Sequence, residues 1–325
     1  MRSRRVVAWA VTAAIALAIP FLLEPRGYPV RVLTMALLAA AMGQAWNIVG
    51  GLANQMSLGH AAFFGLGAYT STILLVRTGL TPWLGMVAGA VVAAIAAALL
   101  SIPTLKLKGH YFALATLAFG EVLRVVAGSW ERLTGGPAGL SVPFANEGLL
   151  GLQFKDTRPY YFLMLGALVL VSGTFAAMSR GKIGYRLRAI RANHDAAEVV
   201  GIATFRAKLT ASLISASWMA ALGTCYAQFN YFFDPDTVFG LGTVSFRVAL
   251  IAIVGGNGTV WGPILGALFL VPAEELTNTY LGANVAGVSQ LAYGVLLIVV
   301  ILVEPRGLVA LGRHLVRRRA APVMH

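Results

Sequence analysis

The sequence is short of charge. Only 11% of its 325 residues are Asp, Glu, Lys or Arg, where soluble domains carry about 25%. Hydrophobic residues make up 58%. Too few polar side chains remain to cover a water-soluble fold of this size, so the bilayer is the solvent that suits it. Cysteine is nearly absent: Cys225 is the single one. That excludes an intrachain disulfide, and no metal-ligand spacing accompanies it. Lying inside an apolar run, Cys225 reads as a small core residue. No G-x-x-x-x-G-K-[ST] phosphate loop occurs, so the chain is not expected to hydrolyse ATP. No G-x-S-x-G, H-E-x-x-H or cysteine cluster points to an enzyme.

Apolar length is what the chain has in quantity. A helix needs about 20 apolar residues to cross roughly 30 Å of hydrocarbon, and backbone groups in lipid must bond within their own segment. Runs at 7–23, 30–49, 83–102, 110–128, 160–178, 209–233 and 288–303 qualify, with shorter ones at 61–77, 244–255 and 260–273. The expected fold is therefore all-α: a polytopic membrane protein with about 8–10 transmembrane helices, including short broken or re-entrant ones. The last two short runs are separated by the helix-breaking Gly255-Gly256-Asn257-Gly258-Thr259. Arg2, Arg4 and Arg5 ahead of the first run imitate a signal peptide. That run continues to Leu23 and the rest of the chain is itself membrane-like, so a first span is the favoured reading.

The net charge of +13 could suggest nucleic acid, but the basic residues sit at the ends of apolar runs with no interleaved aromatic platform. They follow the positive-inside pattern instead. Counting every run as a crossing and placing the N-terminus in the cytoplasm puts most of the 25 basic residues inside, including Lys106, Lys108 and the stretch 180–208. Most of the 12 acidic residues, among them Asp234, Asp236, Glu274 and Glu275, then fall outside. Both termini are expected in the cytoplasm. The expected organisation is one transmembrane domain over 1–308 and a basic cytoplasmic tail over 309–325. A long outer loop spans 129–159 and a basic inner loop 179–208.

Three groups of residues could carry function. The first is a pair of glycine-broken regions: Gly50-Gly51 leads into Asn54, Gln55, Ser57 and His60, and Gly255-Gly256 leads into Asn257. Ile48-Val49-Gly50-Gly51 recurs as Ile253-Val254-Gly255-Gly256, a hint of a parallel repeat. Unwound backbone at membrane depth is tolerated where protein or water covers it, and transporters use it to face substrate. Tight helix packing through small residues, as at Gly85/Gly89 and Gly262/Gly266, is the alternative. The second group is Glu121 with Arg124, an i,i+3 charge pair inside a run. Such charges mark function or reach to the interface; Arg247 is read as reaching out in the same way. The third is Tyr185 to Ile202, where Ile190, Ala197 and Gly201 recur at helical spacing among Arg188, Arg191, His194 and Glu198. It is either an amphipathic helix that docks on a soluble partner or a solvated loop that sets topology.

Four stretches taken together resemble a known family. They are GGLANQMSLGHAAFFGLGAYTS (50–71), LKLKGHYFALATLAFGEVLR (105–124), LTGGPAGLSVP (133–143) and IVGGNGTVWGPILGA (253–267). They are similar to the LivM-type permeases of branched-chain amino acid ABC importers, over most of the chain from about residue 30 to Leu308. The inner loop also resembles the E-A-A-x-x-x-G motif of such permeases, here Asp195-Ala196-Ala197-Glu198-Val199-Val200-Gly201. Asp195 replaces Glu, and the motif's following proline is missing where Ala211-Ser212-Leu213-Ile214 stands. The resemblance implies a subunit that translocates Leu, Ile or Val across the inner membrane. It implies ATPase coupling through Asp195, Ala196, Ala197, Glu198 and Gly201. The implied partners are a homologous LivH-like permease, two cytoplasmic ATPases carrying the ATP and Mg, and a periplasmic binding protein docking on 129–159. No cofactor is expected on the chain itself. Permeases for urea and short amides look alike at this level. A stand-alone secondary transporter or channel is a different reading, disfavoured because Glu121 is the one carboxylate within a run available to serve as a relay.

Overall fold

The computed structural model describes residues 16–24, 27–107, 109–144 and 148–281, together with 291, 294–295, 298–299, 302 and 307–310. The first apolar run is described as helix over 16–22, whereas most of 288–303 and of the tail 309–325 lies outside the described residues.

The apolar runs become long helices: α1 (Tyr28–Ala53), α2 (His60–Thr78), α3 (Pro82–Thr104), α4 (His110–Ser129) and α5 (Thr157–Arg180). Two short helices, α6 (Lys182–Ala192) and α7 (His194–Val199), lead to α8 (Thr204–Asn230). A π-helical stretch, Leu241–Phe246, runs into α9 (Arg247–Gly256), and α10 (Gly262–Leu281) follows. Among the described residues, six segments are long and apolar enough to cross a membrane: α1 to α5 and the stretch Pro235–Gly256.

α8 is 27 residues long yet is not among those six, and its surroundings explain why. It packs against α1, α2 and α3, with Ala211, Ala216, Ala220 and Ala227 buried beside Ser215, Thr224 and Gln228. A helix that faces protein rather than lipid can carry small polar residues and lose mean hydropathy without cost. Backbones come close at these crossings. A Cβ on Gly67 would overlap the Ala220 carbonyl of α8, and one on Gly223 would overlap that of Phe64.

The short runs extend further than hydropathy marks. The run at 260–273 continues to Leu281 through Pro272. The acidic residues that end its apolar pattern are matched: Glu274 pairs with Arg247 at 2.9 Å, and the Tyr28 hydroxyl donates to Glu275 at 2.7 Å. The run at 244–255 is lengthened by the turn Pro235–Val238 and the π-helical stretch to a 22-residue segment.

Successive long helices alternate in direction. One end of the bundle, here the loop end, gathers the starts of α1, α3 and α5 with the ends of α2, α4, α8 and α10. The stretch 129–159 folds onto this end rather than hanging free. Leu140–Ser141 forms a two-stranded antiparallel ladder with Phe232–Phe233 just past α8, and the Tyr160 hydroxyl lies 2.6 Å from that of Tyr231. The helical segment 16–22 is held at the same end, where Arg158 donates to the carbonyls of Pro20 and Leu23. The opposite, basic end carries α6 and α7. Its apolar cluster joins Ile48, Val49 and Leu52 of α1 to Phe175, Leu187, Ile190, Ala197 and Ala207.

Candidate functional site

The two glycine-broken regions meet at the basic end. α1 and α9 run in the same direction and finish side by side. Asn47, one turn before Gly50-Gly51, clamps the second break with both ends of its amide: its Nδ2 donates to the Thr259 carbonyl at 2.9 Å and its Oδ1 accepts from Gly258 N–H at 2.8 Å. Asn257 returns the contact, donating to the Gly50 carbonyl at 3.3 Å. A Cβ on Gly51 would overlap Asn47 Oδ1, and one on Gly255 would overlap the Gly262 carbonyl. Gly256 lies against Val309, and Gly307 against Gly256. Gly51, Gly255 and Gly256 are thus packed in the joint, whereas Gly50, Asn54, Gln55 and Asn257 line a cavity of about 360 Å³ beside it. α1 ends at Asn54, whose left-handed φ of 54° turns the chain away.

Ser57 and His60 lie in the turn into α2. The Ser57 carbonyl accepts from Trp46 Nε1 at 2.8 Å. The Ser215 hydroxyl donates to the Ala45 carbonyl at 2.7 Å, so its one hydrogen is committed; His60 Nε2, 2.9 Å away, is left to donate to it. His60 is buried and ties α1, α2 and α8 together. Ser57, His60 and Thr116 line a space of about 20 Å³, room for one water.

The expected inner helix is two helices. Asn193 breaks it in an extended conformation, and its side chain accepts from Ala196 N–H at 3.0 Å to cap α7, as an N-cap Asn does. Ala197 is buried. Glu198 accepts from the Thr204 hydroxyl at 2.6 Å, fixing α7 to the start of α8. Gly201 adopts φ +83°, a left-handed turn that a side chain would strain. Asp195 is exposed, as are Ala196 and Gly201. Val199 and Val200 stand out at the tip, 87% and 74% exposed. Arg191, one of the basic residues of this stretch, ties the pair to the joint: it donates to the Gly51 carbonyl at 2.6 Å.

Glu121 and Arg124 pair at 2.8 Å as the i,i+3 spacing suggests, at the loop end of α4. Arg124 also reaches Asp236 at 2.6 Å, 112 residues away in sequence, which links α4 to the turn before the π-helical stretch. Arg247 points to Glu274 rather than outward alone. The contacts of Asn47, Asp236 and Glu274, and the bond from Arg191 to Gly51, come from the fold and not from local spacing. Of the three residues that the sequence reading did not single out as candidates, Asn47 alone left a signal, as a polar residue within an apolar run just ahead of a Gly pair.

No solved structure matches the chain. The chain is 31% identical over 321 residues to the high-affinity branched-chain amino acid transport system permease protein LivM of Escherichia coli (strain K12), covering 92% of this chain and 73% of that protein. It is 32% identical to the LivM of Salmonella typhimurium (strain LT2) over the same shares. With the LivH permease of that organism it shares 26% over 295 residues, 86% of this chain and 92% of the relative. Residues 28–303 match the family described as the branched-chain amino acid transport system / permease component, and the chain, a multi-pass α-helical membrane protein, belongs to that family.

Proposed function

We propose that the chain is the permease subunit of an ATP-driven importer for branched-chain amino acids, working beside a LivH-like second permease, two cytoplasmic ATPases and a periplasmic binding protein. The observation that carries this reading is the α6–α7 pair. Its outward tip is apolar at Val199 and Val200, its geometry is set by the Asn193 cap and the Gly201 turn, and its inner side is bonded through Arg191 to the joint of α1 and α9. An exposed apolar tip on a basic surface suits docking on a soluble partner. A direct bond to the bundle lets that partner's movement reach the helices.

The basic end is then cytoplasmic, with both termini on that side, and 129–159 faces the periplasm, where its folded surface with exposed Trp130, Phe144, Leu149 and Leu150 is the docking face for the binding protein. Residues 1–308 form one permease domain. Asp195, Ala196, Ala197, Glu198 and Gly201 make up the coupling element. Gly50, Asn54, Gln55 and Asn257, on the cavity, belong to the translocation pathway. Ser57, His60 and the packed Gly51, Gly255 and Gly256 shape that pathway from behind. The chain does no covalent chemistry; ATP and Mg act on the ATPase partners, and transport follows from differential stabilisation of inward and outward states.

The test is reconstitution of the four kinds of subunit in proteoliposomes with labelled leucine, isoleucine, valine and short amides. ATP-dependent uptake of the three amino acids supports the reading; uptake by this chain alone, without ATPases, overturns it. Gly201→Arg places a charged side chain at φ +83° on the docking surface and is expected to abolish uptake while the protein still inserts and assembles in the bilayer. Wild-type uptake by that variant removes the coupling assignment.

A further inference from the structure

The corner where α5 gives way to α6 is positive and stands at the foot of a lipid-facing stripe. One exposed stripe runs down α5 through Gly166, Val169, Leu170, Gly173 and Ala177. Val169 and Leu170 are 62% and 61% exposed, and apolar side chains so placed on a spanning helix are solvated by acyl chains. Helical spacing carries the stripe on to Arg180, which is exposed at its end. Arg158, near the other end of the same helix, is ~33 Å away at the standard rise, close to the ~30 Å of the hydrocarbon layer. Arg180 therefore stands at the depth of lipid phosphates.

Three further cations gather at that depth. Gly181 breaks the helix in an extended conformation, φ −83° and ψ 175°. α6 then turns back so that the Arg188 guanidinium donates to the Ser179 carbonyl at 2.6 Å. The same guanidinium lies over the Tyr185 ring, 4.7 Å from its centre. Tyr185 is 67% exposed, an aromatic at the level where membrane proteins favour Tyr and Trp. Lys182 and Arg186, one turn apart, are exposed on the same side of α6 as Tyr185. No acidic residue occurs between Asp156 and Asp195. Among the described residues no carboxylate pairs with Arg180, Lys182, Arg186 or Arg188. Like charges held this close repel one another until an anion joins them. The bare tip at Val199 and Val200 belongs to α7, past the Asn193 break, so this corner is a surface of its own.

We propose that the α5–α6 corner binds an anionic phospholipid, its phosphodiester among Arg180, Lys182, Arg186 and Arg188 and one acyl chain along the exposed stripe of α5. Arginine offers paired donors to phosphate oxygens and lysine a point charge. The Ser179 carbonyl and the Tyr185 ring hold Arg188 in position for this. Gly166 and Gly173 leave open space beside Val169 and Leu170, in which the acyl chain lies. The inference stands apart from the importer reading; it rests only on the helices spanning a bilayer.

The test is native mass spectrometry of the full chain released from a non-ionic detergent. It is titrated with phosphatidylglycerol, with phosphatidylcholine of the same acyl chains, and with glycerophosphoglycerol, the soluble headgroup. One phosphatidylglycerol is expected to bind well before any phosphatidylcholine, and the preference should shrink as ammonium acetate is raised. Glycerophosphoglycerol should not displace it, because the acyl chain is part of the contact. The triple variant Arg180→Gln, Lys182→Gln, Arg186→Gln, monodisperse on size exclusion, should bind phosphatidylglycerol roughly a hundredfold more weakly, about fivefold for each cation. The same loss of charge at the loop end, Arg77→Gln, Arg132→Gln, Lys155→Gln, should leave binding unchanged. Equal binding of the two lipids by the unaltered chain overturns the proposal without recourse to any variant. Displacement by glycerophosphoglycerol shows a plain anion site and overturns the lipid assignment. Equal losses in the two triple variants show a general attraction between charges and overturn the assignment of residues.

Discussion

The two ends of the bundle hold themselves together by different means. At the loop end, charges meet charges: Glu121, Arg124 and Asp236 in one group, Arg247 and Glu274 in another. The intervening stretch is laddered to the end of α8. At the basic end, the helices meet through neutral amide clamps on backbone, Asn47 on residues 258 and 259 and Asn257 on Gly50, with glycines where backbones touch. Two valines are bare at the tip there. At the loop end these charges find their partners within the chain. The basic end keeps contacts open and places its tightest packing where small shifts count most, because close-packed joints switch between arrangements rather than flex.

That contrast can be broken by substitution. The largest effect is expected at Gly255→Ala, whose Cβ would overlap the Gly262 carbonyl. Backbone cannot move aside as a flexible side chain can, so the cost should exceed the usual ~1–3 kcal/mol of overpacking. The readout is loss of folded protein on size-exclusion after extraction. Next is Arg191→Met, which removes the bond to Gly51 but keeps the stem. Uptake should fall several-fold while ATP hydrolysis by the assembled importer persists, and the melting temperature should move little. Equal falls in uptake and in stability would show that Arg191 is mere packing. Glu274→Gln leaves Arg247, 33% exposed, without its partner. It should cost about 1–2 kcal/mol, between exposed and buried pairs, seen as a lower melting temperature with transport largely kept. Asp236→Asn should be smallest, at most ~1 kcal/mol, because Asp236 is 80% exposed. If that variant harmed transport more than Arg191→Met, the division of labour between the ends would be reversed.

Much of this was legible in the sequence, for physical reasons that also mark the limits. Lipid-facing helices declare themselves by hydropathy, so α3 and α5 sit almost where their runs do. α8 is blurred because its neighbours are protein, and its start at Thr204 with Arg206 and Lys208 falls before the apolar run begins. α10 is cut short on paper at Glu274, since hydropathy counts a charge and not the arginine beside it. The Glu121–Arg124 pair was readable because helical spacing is local; Asp236 was not, because only the fold brings it near. The two Gly-Gly breaks were visible, and so was their repetition. That they lie against each other, with Asn47 between them, depends on the parallel course of α1 and α9.

The ladder at Phe232–Phe233 has a consequence for how the molecule moves. It fastens the stretch 129–159 to one tip of α8, and the bond from Thr204 to Glu198 fastens α7 to the other. Between them lie 27 residues without a proline, a rod of about 40 Å at the standard helical rise. A push at either end of the bundle therefore meets the same stiff spoke, and tilting it at one tip displaces the other with no chain of intermediate parts.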